Sequence, residues 1–297
     1  MLAFDIYSPE EEVFFPIYAE KGVRLFVKRD DMIHPYISGN KWRKLKHPLA
    51  RARETGKSLL VTFGGAWSNH LLATACAGAK FGFRTQGFVR GEAVRNPVLA
   101  ICRLFGMELH FTDRTAYRDK TALFGHYFGR DAEAFCIDEG GRGADGARGA
   151  GELLQELGQS YDHCFCACGT GTTLAGLALA NGDSAMQMHG VPVLKGGEFL
   201  YGELEKLGAD PEKVHLHTDY HFGGYAKAKP ELLAFVRSFA QRTGIMIEPT
   251  YTGKLFYALH DLIQRDFFPP GSKILAIHTG GLTGFLGHGD AFDQEPV

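Results

Sequence analysis

From Lys57 onward the chain repeats one rhythm: a short apolar run, a turn containing glycine, then a stretch with apolar residues at helical spacing. That alternation predicts strand-turn-helix units feeding a parallel sheet. Leu59 to Phe63 reads as a buried strand, Gly64-Gly65 as its turn and Ser68 to Phe81 as the helix that follows. Further strands are expected at Gln86 to Val89, Glu108 to Phe111 and Ala134 to Ile137, between helices at Pro97 to Phe105 and Ala116 to Phe128. A helix from Ala147 to Leu157 closes this series. A second series starts with a strand at Tyr161 to Ala167 and a helix at Thr172 to Ala180, then a strand at Gly190 to Leu194 and a helix at Glu198 to Leu207. It ends with helices at Pro230 to Arg242 and Lys254 to Arg265 and a strand at Lys273 to His278 that runs into Thr279-Gly280-Gly281. There is no internal repeat, low-complexity tract or obvious linker, so the pattern alone does not divide the chain.

Composition narrows the function. The 297 residues are 45% hydrophobic and 22% charged, as in ordinary globular proteins, with glycine high at 38. A formal net charge of -2 and the lack of any basic run leave no electrostatic footprint for nucleic acid or for an anionic membrane. The start of the chain has neither the basic region nor the apolar core of a secretory signal, and no apolar stretch is long enough to span a bilayer; a cytoplasmic protein is expected. Six cysteines are too few for a disulfide framework. Cys164, Cys166 and Cys168 would put three sulfurs on one face of a strand, but metal-binding cysteines usually come from turns with two intervening residues, so these read as small hydrophobes and no metal is expected.

Several junctions could carry chemistry. Cys168-Gly169-Thr170-Gly171-Thr172-Thr173 lies between a strand and a helix, where glycines let a ligand approach the backbone and the helix N-H groups face an anion. A dinucleotide fingerprint would need glycine in place of Leu174 and an acid about twenty positions on, and Met186 to Val193 holds none. No Gly-Lys-Ser/Thr follows, so the Walker pattern fails too. A plain strand-helix turn is the alternative. Ser38-Gly39-Asn40-Lys41 places a lysine at a helix start, where desolvation and the positive helix end ease its deprotonation for Schiff-base chemistry. Lys44 and Lys46 are close by, however, and position alone does not choose among them. In Gly64-Gly65-Ala66-Trp67-Ser68-Asn69-His70 the serine is either an N-cap or a reactive hydroxyl beside a carboxylate site. Tyr225, Tyr251-Thr252-Gly253-Lys254 and His278-Thr279 sit at element boundaries, where loops carry polar groups into clefts.

Taken together and in this order, Lys41 in Gly-Asn-Lys-Trp-Arg-Lys-Leu, Ser68-Asn69, the Gly-Thr-Gly-Thr-Thr loop, Tyr251-Thr252-Gly-Lys and His278-Thr-Gly-Gly resemble the 1-aminocyclopropane-1-carboxylate deaminase and D-cysteine desulfhydrase family. The likeness runs from about Val27 to Leu282. It implies an α/β fold of two domains, each a largely parallel open sheet flanked by helices, as in the tryptophan-synthase-β-like fold type II. The large domain would comprise 1–52 and 154–297, and 53–153 would be the inserted small one. Lys41 would hold pyridoxal 5'-phosphate covalently, with Gly169, Thr170, Gly171, Thr172 and Thr173 around the phosphate and Asn69 on the phenolic oxygen. Ser68, Asn69 and His70 would meet the substrate carboxylate. Ser68, Tyr225 and Tyr251 would act on the substrate, and Thr252 or Thr279 would face the pyridine nitrogen.

The resemblance further implies a small amino-acid substrate, a homodimer and α-proton removal by Lys41, followed by β-elimination. Deaminases resembling this chain carry glutamate directly after the late tyrosine, where Thr252 stands here. A hydroxyl holds a proton on the pyridine nitrogen less firmly than a carboxylate does. D-Cysteine desulfhydrase-like activity is therefore expected ahead of 1-aminocyclopropane-1-carboxylate deamination. A β-replacement synthase and a cofactor-binding protein without turnover are the other readings.

Overall fold

Apolar runs without a polar partner face become the central strands of two sheets, because only a strand covered on both sides can be apolar throughout. A computed structural model describes residues 4–292. In its first half the elements are β1 (Glu10–Val13), α1 (Pro16–Glu20), β2 (Arg24–Lys28), α2 (Asn40–Glu54), β3 (Leu59–Gly65), α3 (Asn69–Phe81), β4 (Arg84–Arg90), α4 (Pro97–Leu104), β5 (Met107–Thr112), α5 (Lys120–Phe128) and β6 (Ala134–Ile137). There follow α6 (Ala144–Gly151), β7 (His163–Cys168), α7 (Thr172–Asn181), β8 (Gln187–Pro192), α8 (Phe199–Lys206), β9 (Val214–Leu216), α9 (Pro230–Thr243), α10 (Thr252–Gln264) and β10 (Lys273–Ile277).

One sheet has the order β1-β2-β10-β7-β8-β9 and the other β5-β4-β3-β6. All neighbours are parallel except β1, which runs antiparallel to β2 on the edge. The chain thus begins the six-stranded sheet, leaves to build the four-stranded one between residues 59 and 137, and returns. One core packs Leu25, Val27, Phe165 and Ile274 against Phe239 and Phe256 of α9 and α10, and a second packs Cys164, Cys166 and Leu275 against Leu174 and Leu177 of α7. The three strand cysteines are buried there as small apolar residues.

Glycine sets the closest helix contacts. A Cβ on Gly149 of α6 would overlap the Arg43 carbonyl of α2, and one on Gly176 of α7 would overlap the Ala147 carbonyl of α6. Backbones therefore touch on both sides of α6, which locks α2 and α7 at a fixed spacing. Those two helices carry the lysine and the glycine-rich loop.

The helix expected at Ala116 to Phe128 is broken, because Asp119 accepts from the Ala122 N-H at 2.8 Å and starts α5 afresh after a 3-10 turn at Ala116–Arg118. The one expected at Ala147 to Leu157 begins at Ala144 and gives way to a 3-10 stretch at Glu152–Glu156. The strand expected at Gly190 to Leu194 is seated earlier, at Gln187–Pro192. Strands β1, β2 and β9 and helix α1 were not expected from the pattern.

Candidate active site

The loops that leave the carboxyl ends of β3, β4, β7 and β10 converge on a cavity of about 310 Å³, the edge at which open parallel sheets bind ligands. Lys41 enters it from the first turn of α2. The turn before it is dictated by Gly39, whose φ of 58° and whose contact with the Thr279 carbonyl exclude a side chain. The Asn40 N-H donates to that carbonyl at 3.3 Å, and its Nδ2 donates to Thr173 Oγ1 at 3.1 Å. Below, the buried Arg43 grips Asp30 with bonds of 2.6 and 2.7 Å and Glu156 with bonds of 2.7 and 2.8 Å, which fixes the helix face beneath the lysine.

Two buried amines share the cavity wall, and their partners separate them. Lys44 Nζ donates to the Gly140 carbonyl at 3.3 Å, and burial, then the charge of Lys41, holds its pKa well below the ordinary lysine value. Lys41 Nζ has no hydrogen bond or ion pair among the described residues, and burial pushes it down to about 8. A free, partly deprotonated amine is a nucleophile; an amine tied to a carbonyl is a strut.

After β7, Gly169, Thr170, Gly171 and Thr173 line the cavity. Gly171 has a φ of 76°, and a Cβ on Gly169 would come within 3.3 Å of the Tyr251 ring. Thr172 is fully buried and not at the wall; its hydroxyl pairs with that of Thr170 at 3.1 Å. The free N-H groups opening α7 and the small residues before it form an anion cradle.

Ser68 does cap α3: its Oγ accepts from the His70 and Leu71 N-H groups at 3.2 and 3.3 Å. It also lines the cavity, with Asn69 and His70. Asn69 is held through its Oδ1, which accepts from Thr283 Oγ1 at 2.9 Å. Thr62 donates its hydroxyl to the Ile137 carbonyl at 2.8 Å, so it must accept from His70 Nε2 at 2.8 Å, and His70 Nδ1 is left bare, buried and without a partner. Burial, then the charges of Lys41 and Lys44, keeps this imidazole neutral.

Tyr225 and Tyr251 meet edge to face with ring centroids 5.9 Å apart, and both line the cavity. Burial raises the pKa of both phenols, so each keeps its proton at neutral pH. The Tyr225 loop is pinned by Lys254, whose Nζ donates to the carbonyls of Val193, His221 and Gly224 at 3.2, 2.8 and 2.7 Å.

Thr252 departs from expectation. It does not line the cavity. Its hydroxyl accepts from the Glu248 N-H at 2.9 Å, while the buried Glu248 carboxylate takes the N-H groups of Thr250, Tyr251 and Thr252 at 2.7, 2.7 and 3.0 Å and caps α10. Thr279 is at the wall instead. Glu248 was missed in the sequence, although an acid a few residues before a helix start is a recognisable capping signal.

An open α/β fold, an unpaired lysine at a helix start and an anion cradle facing it define a pyridoxal-phosphate enzyme, and the comparisons agree. The family of pyridoxal-phosphate dependent enzymes matches residues 14–280. A putative 1-aminocyclopropane-1-carboxylate deaminase of Pyrococcus horikoshii is 32% identical, covering 92% of this chain and 89% of that protein. The bifunctional D-cysteine desulfhydrase/1-aminocyclopropane-1-carboxylate deaminase of Arabidopsis thaliana, a mitochondrial protein, is 31% identical over 92% of this chain and 75% of that one. A crystal structure of a homologue of the deaminase superposes with a TM-score of 0.84 at 28% identity, covering 96% of this chain and 92% of that one. The chain belongs to the pyridoxal-phosphate dependent enzymes, in the 1-aminocyclopropane-1-carboxylate deaminase and D-cysteine desulfhydrase family, with the fold type II architecture. No helix of the described residues is long and apolar enough to cross a membrane.

Proposed function

We propose that this protein removes the β-substituent of a small amino acid, with D-cysteine as substrate and sulfide, pyruvate and ammonia as products. The cavity suits the cofactor on three counts: a lysine amine without a protein partner, a cradle in which a Cβ at Gly169 would crowd Tyr251, and helix N-H groups facing it. In this reading Lys41 holds pyridoxal phosphate, which when bound supplies an electron sink for the charge left on the substrate α-carbon. Thr170 and Thr173 hydroxyls and the N-H groups opening α7 bind the phosphate, and Asn69 bonds the phenolic oxygen.

The Asn69 N-H, not used in the Ser68 cap, receives the substrate carboxylate beside Ser68 and His70. Lys41 Nζ removes the α-proton, for which a pKa near 8 fits neutral conditions. Tyr251, protonated, donates to the departing sulfur. The same reading takes 1–52 with 154–297 and 53–153 as the two domains, and two copies of the chain as the working unit.

The observation that supports β-elimination ahead of ring opening is the make-up of the wall. Thr279 lines it, Thr252 is turned into the α10 cap, and among the described residues Glu139 is the only carboxylate at the wall. Glu139 lies 3.3 Å from Lys120. A second reading, 1-aminocyclopropane-1-carboxylate deamination, is favoured by the two tyrosines placed side by side at the cavity, where they could protonate an opening ring. Purified protein given D-cysteine separates them: sulfide and pyruvate formed together support elimination, whereas 2-oxobutanoate from the cyclopropane substrate with no sulfide from D-cysteine would replace it with the second reading. A thioether formed when a second thiol is added would point to β-replacement.

A further inference from the structure

A second cavity, of about 430 Å³, opens beside the first and shares two residues with it, Arg90 and Glu139. It is built from the same sheet edge. Arg90 ends β4 in register with Gly65 of β3 and Thr112 of β5, and the turns that follow bring Arg114, Tyr117, Arg118 and Lys120 around it. An Arg90 Nη2 lies 3.8 Å from where a Cβ on Gly65 would stand, so its guanidinium hangs over the loop that leads to Ser68. Arg90 and Lys120 both cover the Tyr117 ring, at 5.7 and 5.3 Å.

Four cations thus meet one carboxylate, and that carboxylate already has Lys120. The guanidiniums of Arg90, Arg114 and Arg118 have no hydrogen bond or ion pair among the described residues. Surface arginines need no partner as a rule, and the exposed Arg95, Arg103, Arg130 and Arg148 have none among the described residues; what sets Arg90, Arg114 and Arg118 apart is that they gather around one cavity. Unpaired guanidiniums gathered in a concave surface focus positive potential on whatever enters it, and their planar donors suit a carboxylate or another oxyanion.

We infer that Arg90, backed by Arg114, Arg118 and Lys120, is a receptor for negative charge on the substrate's side chain, and that the preferred substrates carry an anionic group beyond the β-carbon. This rests on the proposed elimination only in taking the amino-acid end of the substrate to lie in the first cavity. D-Cysteine itself would sit there with its sulfur drawn toward the thiolate. For a longer substrate the balance is unchanged: the Cα-H and Cβ-S bonds break, the thiol leaves with the bonding pair and gains a proton, and one water converts the remaining three-carbon unit to pyruvate and ammonia.

The test compares S-carboxymethyl-D-cysteine with S-carbamoylmethyl-D-cysteine on the holoenzyme, since the two have nearly the same size and differ in charge. The anionic one is expected to have a kcat/KM on the order of 10- to 100-fold higher, the worth of a charge-assisted hydrogen bond. Arg90→Gln should bring the ratio close to one by slowing the anionic substrate alone, and Arg90→Lys should restore part of it. A ratio near one in the unaltered enzyme, or equal losses on both substrates in Arg90→Gln, overturns the inference and leaves elimination standing. Calorimetric binding of succinate against succinamate reads the receptor without turnover: a succinate preference that Arg90→Gln abolishes upholds it even if neither thioether reacts, and elimination is then judged separately from the sulfide released by D-cysteine. Equal binding of the two acids counts against the receptor.

Discussion

Asn40 Nδ2 donates to Thr173 Oγ1 at 3.1 Å, joining the residue before the lysine to the helix that follows the glycine-rich loop. Both side chains are buried, and they are 133 positions apart in the chain. This bond ties the turn that carries the amine of Lys41 directly to the anion cradle, across the spacing that α6 fixes.

Removing both partners should therefore cost less than the two single removals added together. Asn40→Ala leaves the Thr173 hydroxyl without its partner, and a loss of about 1–3 kcal/mol in stability is expected. Weaker retention of pyridoxal phosphate should accompany it. Combining Asn40→Ala with Thr173→Val removes the bond and the stranded group together, so the double variant should lose less than the sum. Cofactor release and chemical denaturation on the three variants would measure this; strict additivity would show that the bond does not couple the two elements.

Arg43 acts through burial. Its guanidinium and Asp30 are 1% and 0% exposed, and Arg43→Met would leave the Asp30 carboxylate buried without its cation. A loss of about 3–5 kcal/mol follows. The pH dependence carries a second signature. Burial alone would raise the Glu156 pKa, but the bonds and charge of Arg43, with Lys28, hold it below the ordinary 4.5. A carboxylate lowered in the folded state contributes stability above its unfolded value, and this is lost as pH falls through the folded one. Denaturation curves of the wild type should thus show stability falling below about pH 4.5, and Arg43→Met should be less stable at neutral pH with a shallower acid limb. An unchanged acid limb would remove Glu156 from the network.

The amine of Lys41 should titrate near 8 rather than near the ordinary 10.5, because burial disfavours its charged form. The rate at which apoprotein captures pyridoxal phosphate should rise with pH and level off once that amine is neutral. Stopped-flow absorbance between pH 6 and 10, with ionic strength fixed, gives the midpoint. A midpoint near 10 would mean that the free amine is not shielded as the structure has it.

Much of this was legible because the strands are apolar throughout and the turns carry glycine. β3, β7 and β10 stand close to where the pattern put them, and Lys41, Ser68, Asn69, Thr170 and Thr279 do share one cavity. The misses have physical reasons. Glu10–Val13 reads as a charged run because it is an edge strand, where Glu12 meets Arg24 instead of a core. α6, Ala-Asp-Gly-Ala-Arg-Gly-Ala-Gly, is rich in glycine and poor in helix propensity; its glycines are there for backbone contact with α2 and α7, which no local pattern announces. Thr252 was placed by its neighbour Tyr251, but a residue that opens a helix points where the cap requires, and here the cap is Glu248. Arg90 and its companions went unnoticed because Arg90 ends β4 while Arg114, Arg118 and Lys120 come from the connection after β5.

The central claim is that Lys41 holds the cofactor. Borohydride reduction of the protein loaded with pyridoxal phosphate, followed by digestion and mass spectrometry, tests it most directly. The account predicts the reduced adduct on the peptide containing Lys41, absent in Lys41→Ala. An adduct on Lys44, or one that persists in Lys41→Ala, would contradict it.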